Sequence, residues 1–341
     1  MTDTNLPSAV GRDPWSPSAV HGAGVSDASD ALEVFRERAR SGRLPQPGSG
    51  TTVDRFTTLA DAGRRSLSAG RLFEAHTDAQ TILLEAGWDD PEALGLLGVW
   101  ASDRHRDPVE LRRAPHGWTV RGNKPFCSGA PLLDQALVTA ASGADRHLCL
   151  IDLGDPTVEI HPSTWAGTGM RGTATRSVEL RDTPVTALVG GVGWYLERPG
   201  FWHGAVGVAA SWFGGALGIL DTLRAGVDGD DPHQLAHLGD ADALGYAVAG
   251  ALELAARQID DDPGDGEAAR QRALRVRRVT ASACLAIIEH AAGALGPRSL
   301  AFDGDHAQRV ADLDLYVRQD HGRRDAETLG RLVAARENRS C

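Results

Sequence analysis

The sequence predicts an α+β fold with an N-terminal helical domain, a middle antiparallel β-barrel-like domain and a C-terminal four-helix bundle. Two observations lead there. Between Trp118 and Leu180, the short runs 136–141 and 147–153 are rich in Val, Leu and Ile and are bounded by Gly, Asp and Pro. Residues 118–120 and 177–180 alternate large and polar side chains, and together these patterns read as strands joined by turns. On either side of this segment, apolar residues recur at the three- and four-residue spacing of amphipathic helices.

In chain order, residues 1–25 are rich in Ser, Pro, Gly and Asp and are expected to lack fixed structure. The N-terminal helical domain is expected over 26–93. Capping side chains at Ser26, Asp27, Ser29 and Asp30 precede a helix through Leu32, Val34 and Phe35, and 42–50 is a Pro/Gly loop. A second helix covers 56–62. A third covers 69–86, with Leu72, Phe73, Ala75, Ala79, Ile82 and Leu83 on one face. The β domain follows over 94–190, and a Gly-rich connector leads to the bundle, 201–335. Its helices are expected over 201–225, 234–258, 267–295 and 305–332. In the third of these, Val276, Thr280, Ala283, Ile287, Ala291 and Ala294 repeat at helical spacing and line the bundle core.

Composition excludes several classes. A formal net charge of -11 argues against a nucleic-acid partner, which needs a clustered basic face. Lys124 is the only lysine. Cys127, Cys149, Cys284 and Cys341 are far apart and show no Cys-x-x-Cys spacing, so neither a disulfide framework nor a metal site is expected. The uncharged run 204–220 is short for a membrane span and rich in Gly, which fits a buried core helix. With no basic-then-apolar pattern at the N-terminus, a cytoplasmic, membrane-free protein is expected.

Four segments then resemble the acyl-CoA dehydrogenase family. These are Arg71 to Ala79; Gly122-Asn123-Lys124-Pro125-Phe126-Cys127-Ser128; Gly169-Met170-Arg171-Gly172-Thr173 with Val178, Leu180 and Pro184-Val185; and Leu295-Gly296 followed by Arg309-Val310-Ala311-Asp312 and Tyr316. The resemblance implies FAD at the junction of β domain and bundle, α,β-dehydrogenation of an acyl thioester or related small substrate, and a homodimer or homotetramer. It places Ser128 beside flavin N5, Phe126 and Cys127 along the ring, Arg171 and Thr173 at the floor of the site, and Val99 and Ser102 in the loop facing flavin and acyl chain. Asp320 falls at the catalytic carboxylate, and His203 near the alternative base position in the first bundle helix.

The chain departs from the family pattern at three places. The flavin-facing loop is shortened to Val99-Trp100-Ala101-Ser102-Asp103. The segment that the resemblance expects to grip the pyrophosphate of a neighbouring subunit's FAD reads Val227-Asp228-Gly229-Asp230-Asp231-Pro232-His233-Gln234, with Gly293 in place of a glutamine and Arg224 as a substitute cation. Carboxylates repel a pyrophosphate, which leaves FAD weakened, re-routed or lost. An aspartate at the base position is one methylene short. Two further readings follow: a flavin-dependent hydroxylase of the same fold, which needs no α-proton carboxylate, and a non-catalytic paralogue acting as subunit or scaffold.

Overall fold

The computed structural model describes Trp15, residues 28–102 and residues 108–337. The expected structureless tail (Trp15 apart), Ser26, Asp27, Asp103 and Cys341 lie outside the described residues. Trp15 itself is buried. Its ring meets Phe213 edge-on at 5.4 Å and its Nε1 donates to Glu253 at 3.1 Å.

Three helices open the described chain: α1 (Ala28–Arg40), α2 (Thr52–Arg65) and α3 (Leu67–Glu85). Ser66 caps α3 by accepting from the Ala69 amide. An eight-stranded sheet follows, formed by β1 (Leu97–Trp100), β2 (Glu110–Ala114), β3 (Gly117–Cys127), β4 (Gln135–Ser142), β5 (Asp145–Asp152), β6 (Val158–Ile160), β7 (Arg176–Pro184) and β8 (Ala187–Val189). Its path is β6-β7-β3-β2-β4-β5-β8. Antiparallel ladders dominate, but the sheet is mixed. β1 pairs in parallel with β4 from Leu97↔Gln135 to Trp100↔Val138, and β2 touches the same edge in parallel at Glu110↔Ala141.

Side-chain alternation explains the near-continuous apolar runs of β4 and β5, because both faces are buried. Ala136, Val138, Ala140, Cys149 and Ile151 point into a core shared with Val120, Val178 and Leu180. Leu137, Leu148 and Leu150 point the other way, onto Ala79, Ile82 and Leu83 of α3. Each such side chain, fully buried, contributes about 1.5–3 kcal/mol. The sheet is thereby fastened to the helices.

A short helix α4 (Trp194–Glu197) leads into α5 (Pro199–Gly226), α6 (Pro232–Asp261), α7 (Gly266–Leu295), α8 (Pro297–Phe302), α9 (Gly304–Tyr316) and α10 (Arg323–Glu337). Helix α5 is long and apolar enough to cross a membrane by length and composition, but it is the buried centre of the bundle. Its small residues serve contacts within the chain: a Cβ added at Gly214 would stand 2.0 Å from the Ala60 carbonyl oxygen of α2. All six core positions expected on α7, from Val276 to Ala294, are buried. The fourth expected helix, 305–332, is broken. Helix α9 ends in a 3-10 turn, Val317–Gln319; Asp320 is extended, and Gly322 takes φ +56, where a continuing helix cannot go.

Candidate active site

A cavity of about 700 Å³ lies between the sheet and the helices. This is within the range of small-molecule sites. Its sheet wall is built from β1 and its exit (Val99, Trp100, Ser102), the end of β3 (Phe126, Ser128) and the turn before β7 (Met170, Thr173, Thr175). Its helical wall comes from α3, α4, α5, α7, α9 and the 3-10 turn after α9.

The sheet wall is irregular for identifiable reasons. Between the pairs Lys124↔Val178 and Cys127↔Arg176, two residues of β3 oppose one of β7, so β3 bulges at Pro125-Phe126. Phe126 adopts φ +55, and its ring is 66% exposed and faces the cavity. Met170 (φ 56) and Ala174 (φ 46) also lie in the left-handed region, in the turn that supplies Thr173 and Thr175. Three such non-glycine residues around one cavity store roughly 1–3 kcal/mol each, a pattern concentrated at functional sites. The turn is held from the helical side, where buried Asp312 accepts from the Met170 amide at 2.5 Å and from Gln308 at 2.7 Å.

Hydroxyls and aromatics share this wall. Thr175 donates to Ser128 Oγ at 3.2 Å and touches Thr173 Oγ1 at 2.7 Å. Thr173 itself donates to the Met170 carbonyl at 2.7 Å, so the three hydroxyls form one chain along the wall. Trp100 is buried and donates its Nε1–H to the Ser128 carbonyl at 3.1 Å, so the shortened loop is strand at this point and its tryptophan braces the serine.

At the helical end, Arg71 and Glu74 pair at 2.6 Å (Nη1 to Oε2), and the Tyr316 hydroxyl donates to the same oxygen at 3.4 Å. Burial pushes the Glu74 carboxyl above the usual carboxylate range, against the pull of Arg71. Burial likewise keeps the phenols of Tyr316 and Tyr195 protonated. Arg277 crosses behind them, 4.5 Å over the Trp212 ring, and donates to the carbonyls of Ala205 and Gln319.

Of the residues singled out in the sequence, Val99, Ser102, Phe126, Ser128 and Thr173 meet at this cavity. Four others do not line it. Cys127 is buried behind the bulge with its thiol on the Lys124 carbonyl, and burial pushes that thiol up to about 12. Arg171 faces outward and reaches the Gly167 carbonyl at 3.4 Å. His203 is buried on α5, donating Nε2–H to the Pro263 carbonyl at 3.0 Å, and burial lowers its pKa. Asp320 turns its carboxylate to Arg278 on α7. The two positions expected to hold a base therefore stand outside the cavity, and the carboxylates that line it, Glu74 and Asp78, come from α3. Glu74 lay within a segment that the sequence had marked, on the side of α3 opposite its apolar stripe.

The α5–α6 turn is as acidic as its sequence suggests. Asp231 caps α6 through the amides of His233 and Gln234. Arg224 is engaged by Asp242 at 2.8 Å, and Gly293 packs against the His237 ring.

A scan against protein-family models finds no match, and a search of curated proteins finds none. Solved structures do match. The FMN-bound form of TdsC from Paenibacillus sp. A11-2, a dibenzothiophene monooxygenase, superposes with TM-score 0.73 at 18% identity, covering 89% of this chain and 95% of that one. PigA with FAD and proline superposes with TM-score 0.75 at 12% identity, over 92% and 91% of the two chains. Butyryl-CoA dehydrogenase from Megasphaera elsdenii gives TM-score 0.68 at 13% identity, over 85% and 93%. The chain thus has the acyl-CoA dehydrogenase fold, with its N-terminal helices, central mixed sheet and C-terminal helical domain, in common with these distant relatives.

Proposed function

We propose that the chain is a flavin-dependent oxidoreductase whose flavin ring lies in the cavity between sheet and helices. The observation that supports this best is the open crevice beside Ser128, whose hydroxyl lines it at the end of a chain of hydroxyls with Thr175 and Thr173. A flat ring with a polar edge fits such a wall. Phe126 would cover one face of the ring, Ser128 would donate to its edge, and Val99, Ser102 and Thr173 would complete the surround. Trp100 and the bulge at Pro125-Phe126 would hold these groups in place without touching the reaction. A bound flavin would supply hydride acceptance or, once reduced, activation of dioxygen.

FMN suits this chain better than FAD. The α5–α6 segment expected to hold an ADP moiety offers Asp228, Asp230 and Asp231, and Arg224 is occupied by Asp242. Carboxylates there repel a pyrophosphate, and FMN carries none.

Oxygenation of a small, largely apolar molecule is favoured over α,β-dehydrogenation of an acyl thioester. Asp320 is engaged with Arg278 and His203 with Pro263, so neither residue is set to remove an α proton. TdsC, which shares this fold, is a monooxygenase. Dehydrogenation remains the second reading because Glu74 and Asp78 supply cavity carboxylates from another helix. The two are separated by supplying reduced FMN from an external reductase under oxygen, with candidate small aromatic and heteroaromatic substrates, and in parallel an acyl-CoA panel without a reductase. Oxygen-dependent product in the first assay alone is expected. Reduction of bound flavin by an acyl-CoA in the second would establish dehydrogenation instead.

A further inference from the structure

Two histidines outside the cavity face each other across the bundle. His237 of α6 and His290 of α7 stand 53 residues apart in the sequence, yet their Nδ1 atoms are 3.1 Å apart and their ring centroids 5.4 Å apart. Both are half-buried, and neither lines the cavity. Gly293 shares the face of α7 that carries His290, because residues three apart on a helix are neighbours. A Cβ at Gly293 would stand 2.8 Å from Cε1 and Nε2 of His237, so the missing side chain is what admits the ring. This is the position at which the family resemblance expects a glutamine to help hold ADP. Here the space goes to an imidazole instead.

A contact through two Nδ1 atoms needs one ring to carry its proton there and the other to present a lone pair. A divalent ion in place of that proton satisfies both lone pairs at once. The spacing suits it. With metal–nitrogen bonds of about 2.0–2.1 Å, two ligating nitrogens stand about 2.9 Å apart at a right angle and about 3.3 Å apart at the tetrahedral angle. Histidine χ2 is broad, so both rings can turn their lone pairs onto one ion. We infer that His237 and His290 bind a late first-row divalent cation of the Zn²⁺ class through Nδ1. Imidazole suits such ions, whereas Mg²⁺ takes oxygen ligands. On binding, the ring that carried Nδ1–H becomes the Nε2–H tautomer, so the neutral pair releases no net proton. No third His, Cys, Asp or Glu among the described residues completes a set of three with them. Water therefore fills the remaining positions, and the ion ties α6 to α7 while staying open to a further ligand.

The test titrates the full chain with zinc chloride at about pH 7.5, where an unperturbed imidazole is neutral. Heat and Tm are followed, with magnesium chloride as the control. A single Zn²⁺ per chain is expected, with a rise in Tm that Mg²⁺ does not produce. His237→Ala and His290→Ala are each expected to weaken this binding at least about tenfold, since loss of even an outer partner of a metal ligand costs about that much. His233→Ala separates the pair from a site within α6, because His233 is exposed and lies one helical turn before His237. That variant is expected to bind Zn²⁺ as the unaltered protein does. No Zn²⁺ binding, binding kept in full by either variant of the pair, or binding lost in His233→Ala would each overturn the inference. Tm without metal shows whether each variant folds, and where an alanine variant does not, glutamine at the same position takes its place. Flavin retention is read separately on the same protein, so the loss of this inference would leave the flavin reading untouched.

Discussion

Replacing Asp320 with asparagine separates a structural carboxylate from a catalytic one. Its side chain is 5% exposed and pairs with Arg278, which is 44% exposed, while Oδ1 has no partner among the described residues. Once the charge is removed, Arg278 can return to water, so the pair counts as a surface ion pair worth about 0–1 kcal/mol rather than as a buried one. Asparagine keeps the shape and relieves part of the desolvation of the orphan oxygen. The expected net loss is within about 1 kcal/mol, a fall in Tm of no more than about 2–4 °C for a chain of this size. Flavin content and turnover, in whichever of the two assays above registers activity, should match the unaltered protein. A fall in turnover of more than about tenfold, with flavin content and Tm unchanged, would show that Asp320 acts on the substrate and would refute its placement outside the reacting site.

Two further outcomes follow from packing and burial. Gly214→Ala would drive a methyl group to 2.0 Å from the Ala60 backbone oxygen, so α2 and α5 must part; overpacking of this kind costs about 1–3 kcal/mol or more. Its Tm should fall by about 1.5–4 °C or more, while Gly229→Ala, where a Cβ meets nothing, should leave Tm within about 1 °C. Stability should also drop on acidification. His76 is buried, accepts from the Leu97 amide at Nδ1, and has its pKa lowered from 6.5 to about 4 by burial. The folded state thus binds the proton less readily than the unfolded one. The contribution is complete above pH 6.5 and is lost as pH falls towards 4, about 2 kcal/mol of it between pH 6.5 and 5. Burial shifts His203 and His306 in the same direction. Chemical denaturation at about pH 7 and pH 5 measures this, and a stability that held level or rose on acidification would contradict it.

The strands and long helices were legible because their apolar periods reflect burial on sheet faces and helix stripes. Features set by tertiary contacts were not. The turn of Phe126 into the cavity depends on a bulge defined by its partner β7, and no period-two pattern marks that. Trp100 fell in what read as a shortened loop, but it is buried strand bracing Ser128. The apolar stripe of α3 identified the face towards the sheet. It could not reveal that the opposite face is covered as well, which places Glu74 in a buried site rather than in solvent. Asp320 was placed by the resemblance, in register with Asp312 and Tyr316, inside a helix expected over 305–332. Gly322 ends that helix, and the break directs the carboxylate to Arg278.

Flavin retention by the purified full chain tests the central claim most directly, measured as the visible spectrum and as the relative affinities for FMN and FAD. The account predicts one flavin per chain, with FMN bound at least about tenfold more tightly than FAD because the α5–α6 turn presents Asp228, Asp230 and Asp231 and no uncommitted arginine. A chain that holds neither flavin, or that holds FAD more tightly than FMN, would contradict it.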